Sequence, residues 1–347
     1  MSPEIRVDLI SDTGTRPTPG MRRAMAEAVV GDEQRGEDPC VLDLCARVAD
    51  LLGQEAATFL PSGTMCNQIA ILLHCRPGDE IIAAESAHII GTEGAGAAVL
   101  AGAFVRPIVT PRGIFTGEDV AAAVRSPSKK TPRSRLVEVE QTSNRGGGAI
   151  WPLQTLQGVA EAARAHGLAL HMDGARLLNA SVATGVASSD YAGLCDSAWL
   201  DLSKGLGCPA GGVLAGSKEF IEEAWVWKFR LGGAMRQAGI LANAGVYALE
   251  NHVERLAEDH DNAQRLAAGV AELPGIAMVH PDVPTNLVFF DVAATGRTAA
   301  ELAGALRQHG VRIGVQGEHM MRAVTHLDVD AAGVDEAVKA LQTTLAA

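Results

Sequence analysis

Apolar positions along the chain fall into two spacings, one helical and one extended. From about Asp38 to Leu52, residues Val41, Leu44, Cys45, Val48, Leu51 and Leu52 recur at three- and four-residue intervals, which predicts an amphipathic helix. A short apolar run, Ala56–Leu60, follows and stops at Pro61-Ser62-Gly63; Met65–His74 then returns to the helical spacing. The same order repeats. Ile81–Ala83, Phe104–Val109, Leu136–Val139, Leu168–Met172, Ser197–Leu202 and Gly212–Ala215 read as short buried strands, with helical stretches such as Leu153–His166 between them. Alternating strands and helices predict an α/β fold, a mostly parallel sheet covered by helices on both faces. Ligands of such sheets gather at the carboxyl ends of the strands.

The pattern changes after about Leu231. Arg236–Leu273 is a long, nearly proline-free helical region that ends at Pro274-Gly275. Beyond it, Asn286–Val292, Arg312–Val315 and Met321–Thr325 read as strands, with helices near Ala299–His309 and Ala331–Leu345. The expected organisation is an N-terminal arm over 1–18, a large domain over 19–235 and a small α/β domain over 236–347. A polar stretch, Ser126 to Pro132, reads as a surface loop within the large domain.

Composition narrows the function classes. With 347 residues, 47% of them hydrophobic, the chain has enough apolar surface for two cores and is not disordered. A formal charge of −12 argues against nucleic acid or an anionic membrane as partner. No apolar run reaches the roughly 18 residues of a membrane span. The segment Met1–Ser11 carries Glu4 and Asp8 and lacks the apolar stretch of a signal peptide, so a cytoplasmic protein is expected. The six cysteines form no C-x-x-C pair and no cluster with histidine at zinc spacing, so no metal centre is expected.

Two strand ends carry candidate chemistry. In Leu170-His171-Met172-Asp173-Gly174-Ala175-Arg176, Asp173 closes an apolar strand, where a carboxylate is costly unless it meets a cation or caps a helix. In Trp199-Leu200-Asp201-Leu202-Ser203-Lys204-Gly205, Lys204 closes the next apolar strand, where a lone lysine usually snorkels to the surface. Together they present an acid and an amine at one edge of a sheet. Pyridoxal 5'-phosphate needs both, an amine to hold its aldehyde as a Schiff base and a carboxylate to keep its ring nitrogen protonated. A phosphate cradle is available at Pro61-Ser62-Gly63-Thr64-Met65-Cys66-Asn67, a glycine turn that opens a helix and leaves backbone N–H groups free.

With these motifs the chain resembles the low-specificity threonine aldolases, pyridoxal-phosphate enzymes of the aspartate-aminotransferase-like fold. The motifs that carry the resemblance are Ser11-Asp12-Thr13, Gly36-Glu37-Asp38-Pro39, Pro61-Ser62-Gly63-Thr64, Ala87-His88, His171 to Arg176, Leu202 to Gly207, Gly233-Ala234-Met235-Arg236-Gln237 and Val324 to Asp328, and they span nearly the whole chain. The resemblance implies cleavage of a β-hydroxy-α-amino acid, such as L-threonine or L-allo-threonine, to glycine and an aldehyde. It implies Lys204 on the cofactor's aldehyde, Asp173 on its ring nitrogen and His88 on its ring face, beside the substrate's β-hydroxyl. By the same resemblance Gly63 and Thr64 hold the phosphate, with Arg236 reaching in from a neighbouring subunit and Arg176 helping to bind the cofactor. Ser11, Arg176 and Arg322 would bind the substrate carboxylate, an arginine fork being the better match for it than lysine. Family members assemble as homodimers or homotetramers with shared sites.

The chain departs from the family at several positions. Arg35 stands where tyrosine is usual, Ser143 where a histidine is thought to contact the β-hydroxyl, and Gly14 where valine is usual. Lys228-Phe229 replaces an Arg-Lys pair, and Asp201 replaces a small or apolar residue. Arg35, Ser143 and Gly14 point to an altered substrate shell, suited to a larger or acidic side chain. Ser143 cannot serve as a base, which leaves that role to His88 or an ordered water. Three readings stay open beside the aldolase: a β-eliminating lyase or dehydratase, an aminotransferase, and a non-catalytic regulator that keeps the fold.

Overall fold

The computed structural model describes residues 4–346. The strands in chain order are β1 (Val7–Leu9), β2 (Ala56–Leu60), β3 (Asp79–Ala84), β4 (Phe104–Ile108), β5 (Arg133–Glu140), β6 (Ala169–Gly174), β7 (Ser197–Asp201), β8 (Gly212–Gly216), β9 (Ala277–Met278), β10 (Leu287–Asp291), β11 (Val311–Val315) and β12 (Met320–Val324). Seven of them form one sheet in the order β2-β8-β7-β6-β5-β3-β4. Along the run β7-β6-β5-β3-β4 every pairing is parallel, whereas β8 is antiparallel to both of its neighbours, β2 and β7. It follows that β2, β3, β5, β6 and β7 all deliver their carboxyl ends to one edge of the sheet. The mostly parallel α/β architecture expected from the alternation is the one found.

Inner strands of this sheet are buried on both faces, as near-continuous apolar runs require. β4 departs from the expectation of a buried strand. It ends the sheet order and leaves Phe104 61% exposed, because an edge strand covers only one side. Local signals fix the helices that flank the site. Asp38 Oδ1 accepts from the N–H groups of Cys40 and Val41 to cap the helix Pro39–Leu52, and Gly53, at φ +63°, stops it in the left-handed region. The helix Gly63–His74 is capped by Ser62, whose Oγ accepts from Met65 N at 3.3 Å.

The second sheet has the order β1-β11-β12-β10-β9, with β1 parallel to β11 and the other pairings antiparallel. It packs its own apolar cluster, including Leu9, Leu266, Phe290, Val311 and Leu341, against the helices Leu256–Ala271, Ala299–Gln308 and Ala331–Ala346. The single helical region read over Arg236–Leu273 is two helices, Gly239–Asn251 and Leu256–Ala271. The break falls where His252 Nδ1 turns away to meet the Leu206 carbonyl at 2.7 Å, a long-range contact that periodicity does not register. The pattern also passed over the strand β1 and the helices Pro19–Ala26, Leu177–Thr184 and Lys218–Arg230. Among the described residues no helix is long and apolar enough to cross a membrane.

Candidate active site

The carboxyl ends of β2, β3, β5, β6 and β7 surround a cavity of about 420 Å³. The loop after β2 contributes Ser62, Gly63 and Thr64, the loop after β3 contributes Ser86, His88 and Glu93, and the end of β5 contributes Glu140 and Asn144. β6 supplies Asp173 and Arg176, and the turn after β7 supplies Lys204. From outside this sheet come Ser11, Gln316 and Arg322. Seven of the residues assigned from the sequence therefore meet in one place: Ser11, Gly63, Thr64, His88, Asp173, Arg176 and Lys204, with Arg322 as an eighth.

Asp173 is 1% exposed and lies at the end of β6. Its Oδ1 accepts from Ala175 N at 3.0 Å, and its Oδ2 accepts from Asn67 Nδ2 at 2.8 Å. Burial pushes the Asp173 carboxyl up, against the pull of the Lys204 charge and the Asn67 hydrogen bond. The strand β7 ends at Asp201, three residues before Lys204, so the lysine stands on a turn rather than closing the strand. Lys204 Nζ lies 2.8 Å from Asp201 Oδ2 and 5.7 Å from the centre of the Trp199 ring. Asp201 is thus a departure from the family pattern that does reach the site.

The cradle and the cation positions are equally specific. A Cβ at Gly63 would lie 2.2 Å from the Trp199 ring, so the first helical turn approaches that ring as only glycine can. At the start of this helix the N–H groups of Gly63 and Thr64 have no carbonyl one turn back to bond, and they carry the positive end of the helix dipole. Arg176 is buried and donates through Nε and Nη2 to Asp12 Oδ2 and Oδ1, at 2.7 and 2.8 Å. Burial alone would raise the Asp12 carboxyl, but the Arg176 charge and hydrogen bonds hold it well below the usual range. Arg322 donates from Nη1 to Asn144 Oδ1 at 2.9 Å, while its buried Nε finds no partner among the described residues. Glu140 is buried beside Asp173, and its carboxyl is pushed up to about 7, burial coming first and the Asp173 charge second.

These groups fit pyridoxal phosphate. An amine and a buried carboxylate share the cavity, free N–H groups at a helix start suit a phosphate, and two polar atoms of its lining, Ser86 Oγ and Arg322 Nε, have no hydrogen-bond partner among the described residues. His88, Glu93 and Asp173 also bring one possible ligand atom each within 4.8 Å of one another, but Glu93 already accepts from His88 Nδ1, and both carboxylates accept from the Asn67 amide.

Other assigned residues lie elsewhere. The Arg35 side chain is 72% exposed, 3.7 Å from Asp32, because the turn it occupies closes on Gly36 at φ +69° and points outward. Ser143 is buried outside the cavity lining, where its N–H donates to the Ala149 carbonyl at 3.0 Å. A Cβ on Gly14 would find only Asp8 Oδ2, at 4.0 Å, and Phe229 is 61% exposed. Within one chain, then, Arg35, Ser143 and Gly14 do not form a substrate shell. Arg236, expected to reach a neighbouring subunit, donates within its own chain to Asp32 Oδ2 at 2.9 Å; it is 61% exposed and precedes the helix Gly239–Asn251. Asp12, Asn67 and Glu93 were not assigned from the sequence. Asp12 and Asn67 stood inside quoted motifs, whereas Glu93 had no local signal beyond following His88 by one helical turn and a bend.

Residues 8–295 match the β-eliminating lyase family. The chain is 42% identical to the low specificity L-threonine aldolase of Escherichia coli K12, over 93% of its own length and 94% of that protein's. It is 38% identical to low-specificity L-threonine aldolase 1 of Arabidopsis thaliana, over 98% and 96% of the two chains. The fold superposes on the solved structure of Leishmania major threonine aldolase with a TM-score of 0.83 at 22% identity, covering 98% of this chain and 99% of that one. Sphingomonas wittichii serine palmitoyltransferase has a TM-score of 0.76 at 18% identity, over 98% and 87%.

Proposed function

The chain belongs to the β-eliminating lyase family, alongside the low-specificity L-threonine aldolases, and from that premise we propose that it is an aldehyde-lyase that cleaves L-threonine or a close β-hydroxy-α-amino acid to glycine and an aldehyde. The observation that carries the reading is Lys204 and Asp173 in one cavity with the open helix start at Gly63. Lys204 would hold the aldehyde carbon of pyridoxal phosphate, Asp173 its ring nitrogen, and Gly63 and Thr64 its phosphate. When bound, the group supplies an electron sink for the pair released from the substrate's Cα–Cβ bond.

The protein's own residues then select which bond breaks. Arg322 offers the substrate carboxylate an unpartnered Nε, and Ser11, beside it in the cavity wall, adds a hydroxyl. Holding the carboxylate fixes rotation about the bond from nitrogen to Cα, so that Cα–Cβ rather than Cα–H is aligned for cleavage. His88 takes the proton of the β-hydroxyl as that bond opens to an aldehyde. Its Nδ1 is engaged by Glu93 at 2.8 Å, which leaves Nε2 for the substrate. Arg176, with two donors committed to Asp12, supports the carboxylate site through its charge and anchors the segment that carries Ser11.

The same reading makes the enzyme a cytoplasmic homodimer or homotetramer, in which Arg236 faces a neighbouring subunit's phosphate site. Six free cysteines suit a reducing compartment. The exposure of Val29, Phe229 and Arg236, on segments that meet around Glu33, suits a contact between subunits. The test is product analysis of the purified holoenzyme on L-threonine and L-allo-threonine. Glycine and acetaldehyde in equal amounts are expected; 2-oxobutyrate with ammonia would assign β-elimination instead and overturn the aldolase reading.

A further inference from the structure

Glu93 belongs to none of the motifs that carry the family resemblance, yet the site is organised around it. Its side chain is fully buried. Oε1 takes hydrogen bonds from Asn67 Nδ2 at 2.7 Å and from His88 Nδ1 at 2.8 Å, and Oε2 takes one from Gln68 Nε2. The last contact depends on a close backbone approach, since a Cβ at Gly96 would lie 2.3 Å from Gln68 Oε1. A buried carboxylate with three donors around it is an acceptor, so the ring nitrogen facing it carries the proton.

The orientation of Asn67 is fixed independently. Its Oδ1 accepts from Trp199 Nε1 at 2.7 Å and meets His171 Nε2 at 3.1 Å. Burial holds His171 down at about 3, and the neutral ring donates from Nε2 to Asn67 while Nδ1 faces Ser197 Oγ at 2.8 Å. With its oxygen committed to these donors, Asn67 turns its NH₂ toward both Glu93 and Asp173. One amide therefore aligns the carboxylate that serves His88 and the carboxylate assigned to the cofactor ring.

We propose that Glu93 is the positioning residue of this site, holding His88 in the tautomer whose Nε2 accepts the substrate's hydroxyl proton. The inference rests on the assignment of His88 as base made above. Glu93 also raises the proton affinity of His88, by its hydrogen bond first, against desolvation, with the charges of Asp173 on β6 and Glu140 on β5 adding to it. Lys204 and Arg145 line the same cavity with positive charge. The neutral form of His88 is the reactive one, so activity should rise with pH along an acid limb set by this ring.

Three variants of the holoenzyme test the proposal: Glu93→Gln, Glu93→Asp and His88→Asn. The readouts are the pH profile of kcat/KM for threonine cleavage and an NMR titration of the His88 ring. In Glu93→Gln, with the visible band of the bound cofactor retained, kcat should fall about 10- to 100-fold. Its acid limb and the His88 titration should move together to lower pH. Glu93→Asp, which keeps the charge, should restore most of the limb. Glu93→Gln added to His88→Asn should cost little more than His88→Asn alone, because the two act as one unit. A Glu93→Gln enzyme whose limb and ring titration overlay the parent's overturns the proposal. A fully active His88→Asn enzyme would instead overturn the assignment of His88 as base, while the ring titration still reads the contact with Glu93.

Discussion

Arg176 reaches the cavity with Nε and Nη2 already bonded to Asp12, whereas Arg322 reaches it with Nε buried and unpartnered. Burial and the nearby charge of Arg176 lower the proton affinity of Arg322 more than the charge of Asp12, already bonded to Arg176, raises it. A substrate carboxylate supplies an anion for Arg322. Replacing Arg322 by lysine keeps a charge but loses the fork, at about 1.5–3 kcal/mol for a charge-assisted hydrogen bond. Arg322→Lys should therefore raise KM for threonine by about 10- to 100-fold and change kcat much less; an unchanged KM would remove Arg322 from the carboxylate site. At this scale the sequence was legible wherever a residue's position on its element fixed its role. Asp173 and Lys204 were placed by the ends of apolar runs and Gly63 by its turn. The partners Asp12, Asn67 and Glu93 were not, because hydrogen bonds such as that from Arg176 to Asp12, 164 residues apart, leave no periodic trace. Arg35 and Ser143 lie outside the cavity lining of their own chain for a related reason: a motif neighbour need not face that cavity, and one bend at Gly36 turns Arg35 outward.

Elements were read well where one apolar period persists, as in the helix Pro39–Leu52 and the strand β2. They were read poorly where a tertiary contact cuts the pattern, as at His252 between the helices Gly239–Asn251 and Leu256–Ala271. The segment over Asp32 to Asp38 shows how elements without mutual sequence signal are tied together. Glu33 forms an ion pair with Lys228, both fully buried, and its Oε2 accepts from Met235 N at 2.8 Å. Lys228 Nζ also lies 4.8 Å from the centre of the Trp225 ring. Burial lowers the Lys228 ammonium, against the pull of Glu33. Removing one partner of such a pair leaves a buried charge uncompensated, at about 3–5 kcal/mol. Glu33→Ala should lose that much unfolding free energy in urea, and a loss below about 1 kcal/mol would show that Lys228 finds water or another partner. The Lys228-Phe229 departure thus has a structural account at Lys228, while Phe229 lies exposed on the face proposed above as a contact between subunits.

Over the whole molecule, the active cavity depends on two sheets that periodicity read apart and that the resemblance joined by assigning Ser11, Arg176 and Arg322 to one carboxylate. Five strand ends of the seven-stranded sheet form most of it, and Arg322 on β12 and Ser11 just beyond β1 complete it from the other sheet. Alternation of strands and helices was enough to predict the mostly parallel sheet, but not its order, the reversal of β8 or the addition of β1 to the smaller sheet, all of which rest on long-range pairing. We propose an arm over 1–18, a large domain and a small one, supported by the separate apolar clusters of the two sheets; the boundary expected at 235–236 falls inside the first cluster, because Ala242 and Ala248 on the helix Gly239–Asn251 pack with the large sheet, whereas the small sheet's cluster takes up the chain again at Ala263. The central claim is that this assembly holds pyridoxal phosphate on Lys204. The most direct measurement is borohydride reduction of the holoenzyme, followed by peptide mass mapping. The account predicts the cofactor's added mass on the peptide containing Lys204 and on no other lysine peptide; an unlabelled Lys204 peptide, or the label on another lysine, would contradict it.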